Sequence, residues 1–302
     1  MSALPVVGVD IGGSKIAAGL VDRDGRVLRR FRTDTPAGGR SEILAATERL
    51  VSQLSSGQQI AGIGIGAGGV IVDGTVVAAT SLLPGWAGTE PARHFSGVFD
   101  LPATAINDVH AHGVGEAWRG AGTGHDTVLV VAVGTGLGAA IVHRGVPLIG
   151  AHGIGGHLGH IASPAAENLS CSCGAVGHLE AIASGYGIVQ LYRSSGGDSS
   201  VADASAVIAR TASDRYADAA VRQSAAALGA ALGALITIID PDVVIMSGGV
   251  TDAGPSWWDE LRSVAASTAL PPASATPIVP GELGADAGIV GAARFLITSR
   301  LW

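Results

Sequence analysis

Cysteine is nearly absent from this chain: it has two, Cys171 and Cys173, one residue apart, so no disulfide framework is available to it. Lysine is scarcer still. Lys15 stands alone among 18 basic residues, so its place after a glycine turn reads either as a phosphate contact or as a solvated turn residue in an arginine-biased chain. Excess positive charge is missing too, and a net charge of −7 with a pI near 5.6 argues against a nucleic-acid-binding surface. No apolar run reaches the roughly 20 residues of a membrane span. The longest, 225–239, stops at Asp240-Pro241 and is expected to be a buried helix feeding a strand at 243–246. The apolar start at 4–9 has no basic flank and is broken at Asp10, so no secretory signal is expected. These absences predict a cytoplasmic protein with no nucleic-acid partner and no membrane association.

Glycine, by contrast, is abundant. The 46 glycines of this 302-residue chain are about twice the usual share, which implies many tight turns and close backbone approaches. They are not periodic as in a fibrous protein, and apolar residues are too plentiful for disorder. A chain of this length buries a large core and is expected to form two lobes.

The glycines mark a repeated pattern. An apolar strand at 5–9 ends in Asp10-Ile11-Gly12-Gly13-Ser14-Lys15, a second strand covers 16–21, and Asp24-Gly25 turns the chain into 26–32. About 120 residues later a strand at 127–133 leads into Gly134-Thr135-Gly136-Leu137-Gly138, then a strand at 139–143 and a turn at Arg144-Gly145. Strand, glycine turn, strand is a hairpin, whereas a dinucleotide fingerprint needs a helix after the glycines. Two matched copies suggest a duplicated fold with two backbone turns able to hold phosphate oxygens. Between them the spacing predicts a helix at 40–55, a strand at 60–66, a hairpin at Asp73-Gly74, a loop at 81–86, a strand at 103–106 and a helix at 109–118 with Asp108 as its N-cap. Helices at 180–192 and 216–239 follow, with a surface loop at 194–200.

The densest chemistry lies between residues 157 and 180. His160, Cys171, Cys173 and His178 fall within nineteen residues and suit the tetrahedral nitrogen and sulfur coordination of zinc, although no C-x-x-C knuckle is present. Gly159, Gly174 and Gly177 let the chain turn around a metal. The competing reading is two small buried thiols and two unrelated histidines.

Gly156-His157-Leu158-Gly159-His160, followed by Cys-x-Cys-Gly-x-x-Gly-x-x-Glu ending at Glu180, closely resembles the signature of the ROK family of sugar kinases and sugar-responsive repressors. In that family a His and three Cys hold zinc. His178 stands here in place of the third Cys, and imidazole is an equally good zinc ligand. The resemblance covers almost the whole chain. It implies an α/β, two-lobed, actin-like (duplicated ribonuclease-H-like) kinase fold with a zinc-bound loop. The implied division is a small lobe of 1–107 plus the final helix at about 287–302, and a large lobe of 108–286.

The resemblance also implies site residues. Asp108, in the Asn107-Asp108 that opens the motif completed by Gly115-Glu116, becomes the base for phosphoryl transfer, where an isolated Asn-Asp before a helix would read as an N-cap. Asp10, Gly12, Gly13, Ser14 and Lys15 form one nucleotide clamp and Gly134, Thr135, Gly136 and Gly138 the second, with Gly248 and Gly249 near adenine. Gly69, Asn107, Asp108, His157, His160 and Glu180 are the expected sugar contacts. The expected cofactors are structural Zn2+ and Mg2+ with ATP, and the expected assembly is a homodimer or a dimer of dimers.

Three departures bear on the sugar. Gly68 replaces the Pro of the family's Gly-x-Pro-Gly, Leu82 replaces an Asn before Leu-Pro-Gly-Trp, and His157 replaces a sugar-binding Glu. A site lacking an amide partner discriminates differently. A neutral imidazole suits a 2-acetamido group, and the resemblance at His157 is to bacterial N-acetylmannosamine kinases of the family. The expectation is therefore an ATP-dependent 6-kinase acting on N-acetylmannosamine, with glucose or N-acetylglucosamine as alternatives if His157 is a neutral change. A non-catalytic sugar-sensing regulator is the alternative of another class. Such regulators carry an added N-terminal helix-turn-helix segment, which is not expected here because the first phosphate-loop strand starts at Pro5.

Overall fold

The computed structural model describes residues 4–80 and 82–299. Ser81 of the expected loop, and residues 1–3 and 300–302 of the expected lobes, lie outside them. The chain divides into two compact units. The first runs to His125, takes up Ala140–Gly155 and resumes at Glu282, while the second holds Asp126–Ala139 and Gly156–Gly281. That division differs from the one expected at 107/108 and 286/287.

In the first unit β1 (Val6–Ile11), β2 (Lys15–Val21) and β3 (Val27–Asp34) form an antiparallel meander. Helix α1 (Arg40–Ser55) follows, burying Ile43, Ala46, Leu50, Val51 and Leu54 at helical spacing against β1 and β2. Strand β4 (Ile63–Ala67) adds parallel to β1. After the hairpin of β5 (Val70–Val72) and β6 (Thr75–Ala78) come α2 (Pro91–Phe99), β7 (Ala103–Asn107), parallel to β4, and α3 (Asp108–Arg119). The sheet order is β3-β2-β1-β4-β7.

The duplication read from the glycine turns is present in the topology. Strands β8 (Thr127–Val133), β9 (Leu137–His143) and β10 (Val146–Pro147) repeat the meander, and β11 (Val243–Ser247) and β12 (Ile278–Pro280) repeat the two parallel additions, giving β10-β9-β8-β11-β12. The second unit holds α4 (Glu180–Ala183), α5 (Gly185–Ser194), α6 (Ala204–Ile208), α7 (Arg215–Ile239) and α8 (Pro255–Thr268). The single helix expected at 180–192 is two, because Ser184 leaves the helical conformation and its hydroxyl caps α5 by accepting from Gly187 N at 3.1 Å. Among the described residues α7 is the one helix long and apolar enough to cross a membrane, and half of its apolar window is buried. It packs on α5 and α8.

The last helix, α9 (Ala287–Thr298), explains why the first unit extends past residue 107. It lies on the backbone of β1 and β4, where a Cβ at Gly8 would stand 2.0 Å from Ile289 O and one at Gly64 would stand 1.9 Å from Ala292 O. Any side chain there would push the helix off the sheet. The same helix packs on α3. Glu116, fully buried on α3, fixes the chain entering α9: its carboxylate accepts from Glu282 N at 3.2 Å and Leu283 N at 2.9 Å. Helix α3 therefore belongs with the first unit, although it follows residue 107.

Candidate active site and metal-binding loop

Two carboxylates, Asp10 at the end of β1 and Asp108 at the start of α3, are the chemical centre of the first unit. Burial pushes both above the ordinary carboxylate range, and Asp10, further raised by the charge of Asp108 and lowered by Lys15, reaches about 7. A Cβ at Gly288, in the first turn of α9, would stand 2.7 Å from Asp10 Oδ2, so that helix closes directly over the carboxylate.

Asp108 is not the N-cap. Asn107 takes that place, its Oδ1 accepting from Val109 N at 2.9 Å and His110 N at 3.1 Å. Its Nδ2 donates to Gly69 O and to Asp108 Oδ1, each at 2.9 Å. All four hydrogen-bonding positions of the amide are thus occupied, so Asn107, expected as a sugar contact, serves here to brace Asp108. Gly69, with φ of +109°, offers its carbonyl to that brace. Asp108 Oδ1 accepts from Asn107 and Val109 N, while Oδ2 has no hydrogen-bond partner among the described residues.

The first glycine turn is set by its own backbone. Gly12 N donates to Lys15 O at 3.0 Å, and Thr35 ties the turn down from β3's end, its hydroxyl donating to Gly12 O at 2.7 Å and its N to Ser14 O at 3.1 Å. Lys15 is exposed. Leu82 lies over this turn, since a Cβ on Gly13 would meet Leu82 Cβ at 2.7 Å.

In the second unit His160, Cys171, Cys173 and His178 converge, with one ligand atom of each within 4.8 Å of every other. His160 Nδ1 stands 3.6 Å from Cys171 Sγ, and His178 Nδ1 3.2 Å from Cys173 Sγ. Ligands on a tetrahedron with zinc bonds of about 2.0–2.3 Å sit roughly 3.3–3.8 Å apart, so the donor set fits that metal. The loop is shaped for it by a turn in which Gly174 N donates to Cys171 O and by positive φ at Gly174 and Gly177. Burial, with Cys173 and Glu180 nearby, pushes the Cys171 thiol up to about 11, and a cation is what makes a thiolate stable in such a place.

The second glycine turn sits beside this loop. Gly134 O accepts from Gly185 N and Thr135 O from Tyr186 N, while Leu137 N donates to Glu180 Oε2 at 3.0 Å. Gly138 lies in β9 and His157, half-buried, precedes the short turn carrying His160, its ring centroid 6.4 Å from that of His160. Gly248, with φ of +91°, packs on Val133 so closely that a Cβ would stand 2.4 Å from Val133 O, whereas Gly249 faces open space.

Asp10, Gly12 to Lys15, Gly69, Asn107 and Asp108 are therefore features of the first unit, and the second glycine turn, His157, His160, Glu180, the cysteines, His178 and Gly248-Gly249 of the second. Thr35, Ser172, Gly288 and the position of Leu82 escaped the sequence reading. Thr35 alone had a local signal, as a hydroxyl just beyond the strand paired with the turn.

Comparison with known proteins agrees with this architecture. Residues 6–299 match the ROK family model. Over 98% of both chains, the sequence is 31% identical to a glucokinase of Thermotoga maritima, and over 96% of this chain and 98% of the relative it is 31% identical to an N-acetylmannosamine kinase of Yersinia pseudotuberculosis. A solved ROK family glucokinase from Streptomyces griseus, in complex with glucose and AMPPNP, superposes with a TM-score of 0.84 at 31% identity, covering 96% of this chain and 98% of its own. The chain belongs to the ROK family.

Proposed function

We propose that this protein is an ATP-dependent sugar 6-kinase whose preferred acceptor is N-acetylmannosamine. The observation that carries the kinase reading is Asp108: a buried carboxylate with raised proton affinity, held by a fully occupied Asn107, with one oxygen left for an acceptor hydroxyl. Phosphoryl transfer asks the protein for positioning, charge compensation and one proton acceptor. In the proposed reaction the sugar oxygen bonds to the γ-phosphorus as the bond to the β,γ-bridging oxygen breaks. The hydroxyl proton passes to Asp108 and ADP leaves.

Each glycine turn offers backbone amides of the kind that hold phosphate oxygens, and Lys15, the chain's one lysine, stands beside the first of them. Mg2+, when bound with ATP, would neutralise phosphate charge near Asp10, whose repulsion by Asp108 a cation relieves. His160, Cys171, Cys173 and His178 would hold zinc and thereby the loop that carries His157 and Glu180. The preference for an acetamido sugar rests on His157 and Leu82, which place an imidazole and an exposed apolar side chain where the family pattern has a carboxylate and an amide. Relatives named for glucose and for N-acetylmannosamine match at equal identity, so the choice between them rests on these residues. ADP release measured with N-acetylmannosamine, glucose and N-acetylglucosamine tests it. The highest kcat/KM should be with N-acetylmannosamine, and a glucose preference makes the protein a glucokinase.

A further inference from the structure

Glu180 joins the metal-binding loop to the second glycine turn. Its carboxylate, buried at the start of α4, faces two ways. Oε1 accepts from the Ser172 hydroxyl at 2.5 Å and lies 3.5 Å from Cys171 Sγ, while Oε2 accepts from Leu137 N at 3.0 Å. The fit is close, because a Cβ on Gly136 would stand 2.9 Å from Oε2. The rest of the turn is fastened to the first residues of α5, through Gly185 N to Gly134 O at 2.8 Å and Tyr186 N to Thr135 O at 3.2 Å. One end of the turn thus rests on a helix, and the other, where β9 begins, meets the Glu180 carboxylate.

Ser172 is the residue between the two cysteines. A metal that fixes Cys171 and Cys173 fixes the backbone of Ser172 between them and aims its hydroxyl at Oε1. Holding Oε1 leaves the carboxylate one orientation, in which Oε2 meets the Leu137 amide. Without the metal the loop from Cys171 to His178 would keep its backbone bonds, Cys171 N to Ala175 O and Gly174 N to Cys171 O, but its side chains would lose their shared anchor, so that Glu180 would gain rotamers and the Leu137 amide would lose a fixed acceptor.

We propose that Ser172 and Glu180 are positioning residues that transmit metal occupancy of the His160–Cys171–Cys173–His178 site to the 134–138 turn, and so set nucleotide affinity. The proposal rests on the reading of that turn as a phosphate clamp. It makes the metal more than a fastener of the unit. A metal that only stabilised the fold would affect nucleotide affinity, sugar affinity and melting temperature together. The relay instead affects the nucleotide, and through Glu180 the sugar, without lowering the melting temperature, and does so in a protein whose metal is still bound.

The test uses zinc-loaded full-length protein and the Ser172→Ala variant, because Ser172 is not a metal ligand. Affinity for AMPPNP with Mg2+ is measured by calorimetry without sugar, and amide exchange is followed at residues 134–137. Loss of a hydrogen bond to a charged acceptor is expected to weaken AMPPNP binding by about 10-fold. Zinc content should stay at one per chain, the melting temperature should hold, and exchange at Leu137 should quicken. Ser172→Thr, which keeps the hydroxyl, should bind nucleotide as wild type does. Chelation should weaken wild-type binding by a similar factor and add little in Ser172→Ala, since the two changes cut one chain of contacts. Unchanged AMPPNP affinity together with unchanged exchange at Leu137 in zinc-loaded Ser172→Ala would overturn the relay. So would loss of zinc from Ser172→Ala, which would make the residue a support of the metal site alone. If the wild type binds no nucleotide, the kinase reading fails, and exchange at Leu137 still decides whether metal and turn are coupled.

Discussion

Burial, and then the charge of Asp108 beside it, raise the proton affinity of Asp10 and bring that aspartate to about 7. Its ordinary value is 3.8, so folding favours the protonated form. The resulting stability is fully present below about pH 4 and is lost as pH rises through 7. In metal-free buffer the wild type should therefore melt at a higher temperature at pH 5 than at pH 8. Asp10→Asn, which cannot ionise, should melt above wild type at pH 8 and narrow the gap at pH 5, with about 2–4 °C for each kcal/mol recovered. Equal melting temperatures at pH 8 would show that Asp10 carries no such cost. Activity should move the other way, falling on the acid side as Asp108 is protonated above the ordinary carboxylate range.

One zinc per chain should co-purify, held by His160, Cys171, Cys173 and His178. His178→Cys should keep it, because thiolate and imidazole are interchangeable in such sites. Cys171→Ala should lose it, with a fall in melting temperature. Metal analysis of unchelated wild type that finds no zinc would exclude the site.

His157 decides the sugar. If its imidazole suits an acetamido group, His157→Glu should shift kcat/KM towards glucose, by roughly 10- to 100-fold in the ratio if one hydrogen bond to a charged partner is exchanged. The absence of an amide at Leu82 should keep the shift at the lower end. An unchanged ratio would remove His157 from the specificity argument.

Much of this is legible in the sequence. The glycine turns, the His/Cys loop and Asn107-Asp108 are compact in sequence, so chemistry and spacing are seen together. The contacts that hold them are not compact. Leu137 and Glu180 are 43 residues apart, and Thr35 meets Gly12 across 23. Asn107 and Asp108 are both good caps, and the choice between them depends on the extended backbone of Asn107, at ψ of 145°, which composition does not reveal. The compact units divide differently from the lobes that the resemblance implies because the contacts between α3 and α9 run through small residues such as Gly115 and Gly291, which carry no hydrophobic signal. Helix α8 was overlooked although Pro255 opens it and Trp257, Leu261 and Ala265 recur at fours on its buried face.

The central claim is that Asp108 takes a proton from a sugar hydroxyl during phosphoryl transfer from ATP. The direct measurement is phosphorus NMR of the product formed from N-acetylmannosamine, ATP and Mg2+ by wild type and by Asp108→Asn, with sugar binding to both followed by calorimetry. Wild type should yield a phosphomonoester at the 6-position. Asp108→Asn should bind the sugar with similar affinity and form product slower by roughly 10²- to 10⁴-fold, the usual worth of a general base. Wild-type protein that holds zinc and binds a hexose yet forms no sugar phosphate, or an Asp108→Asn variant that turns over at the wild-type rate, would contradict the account.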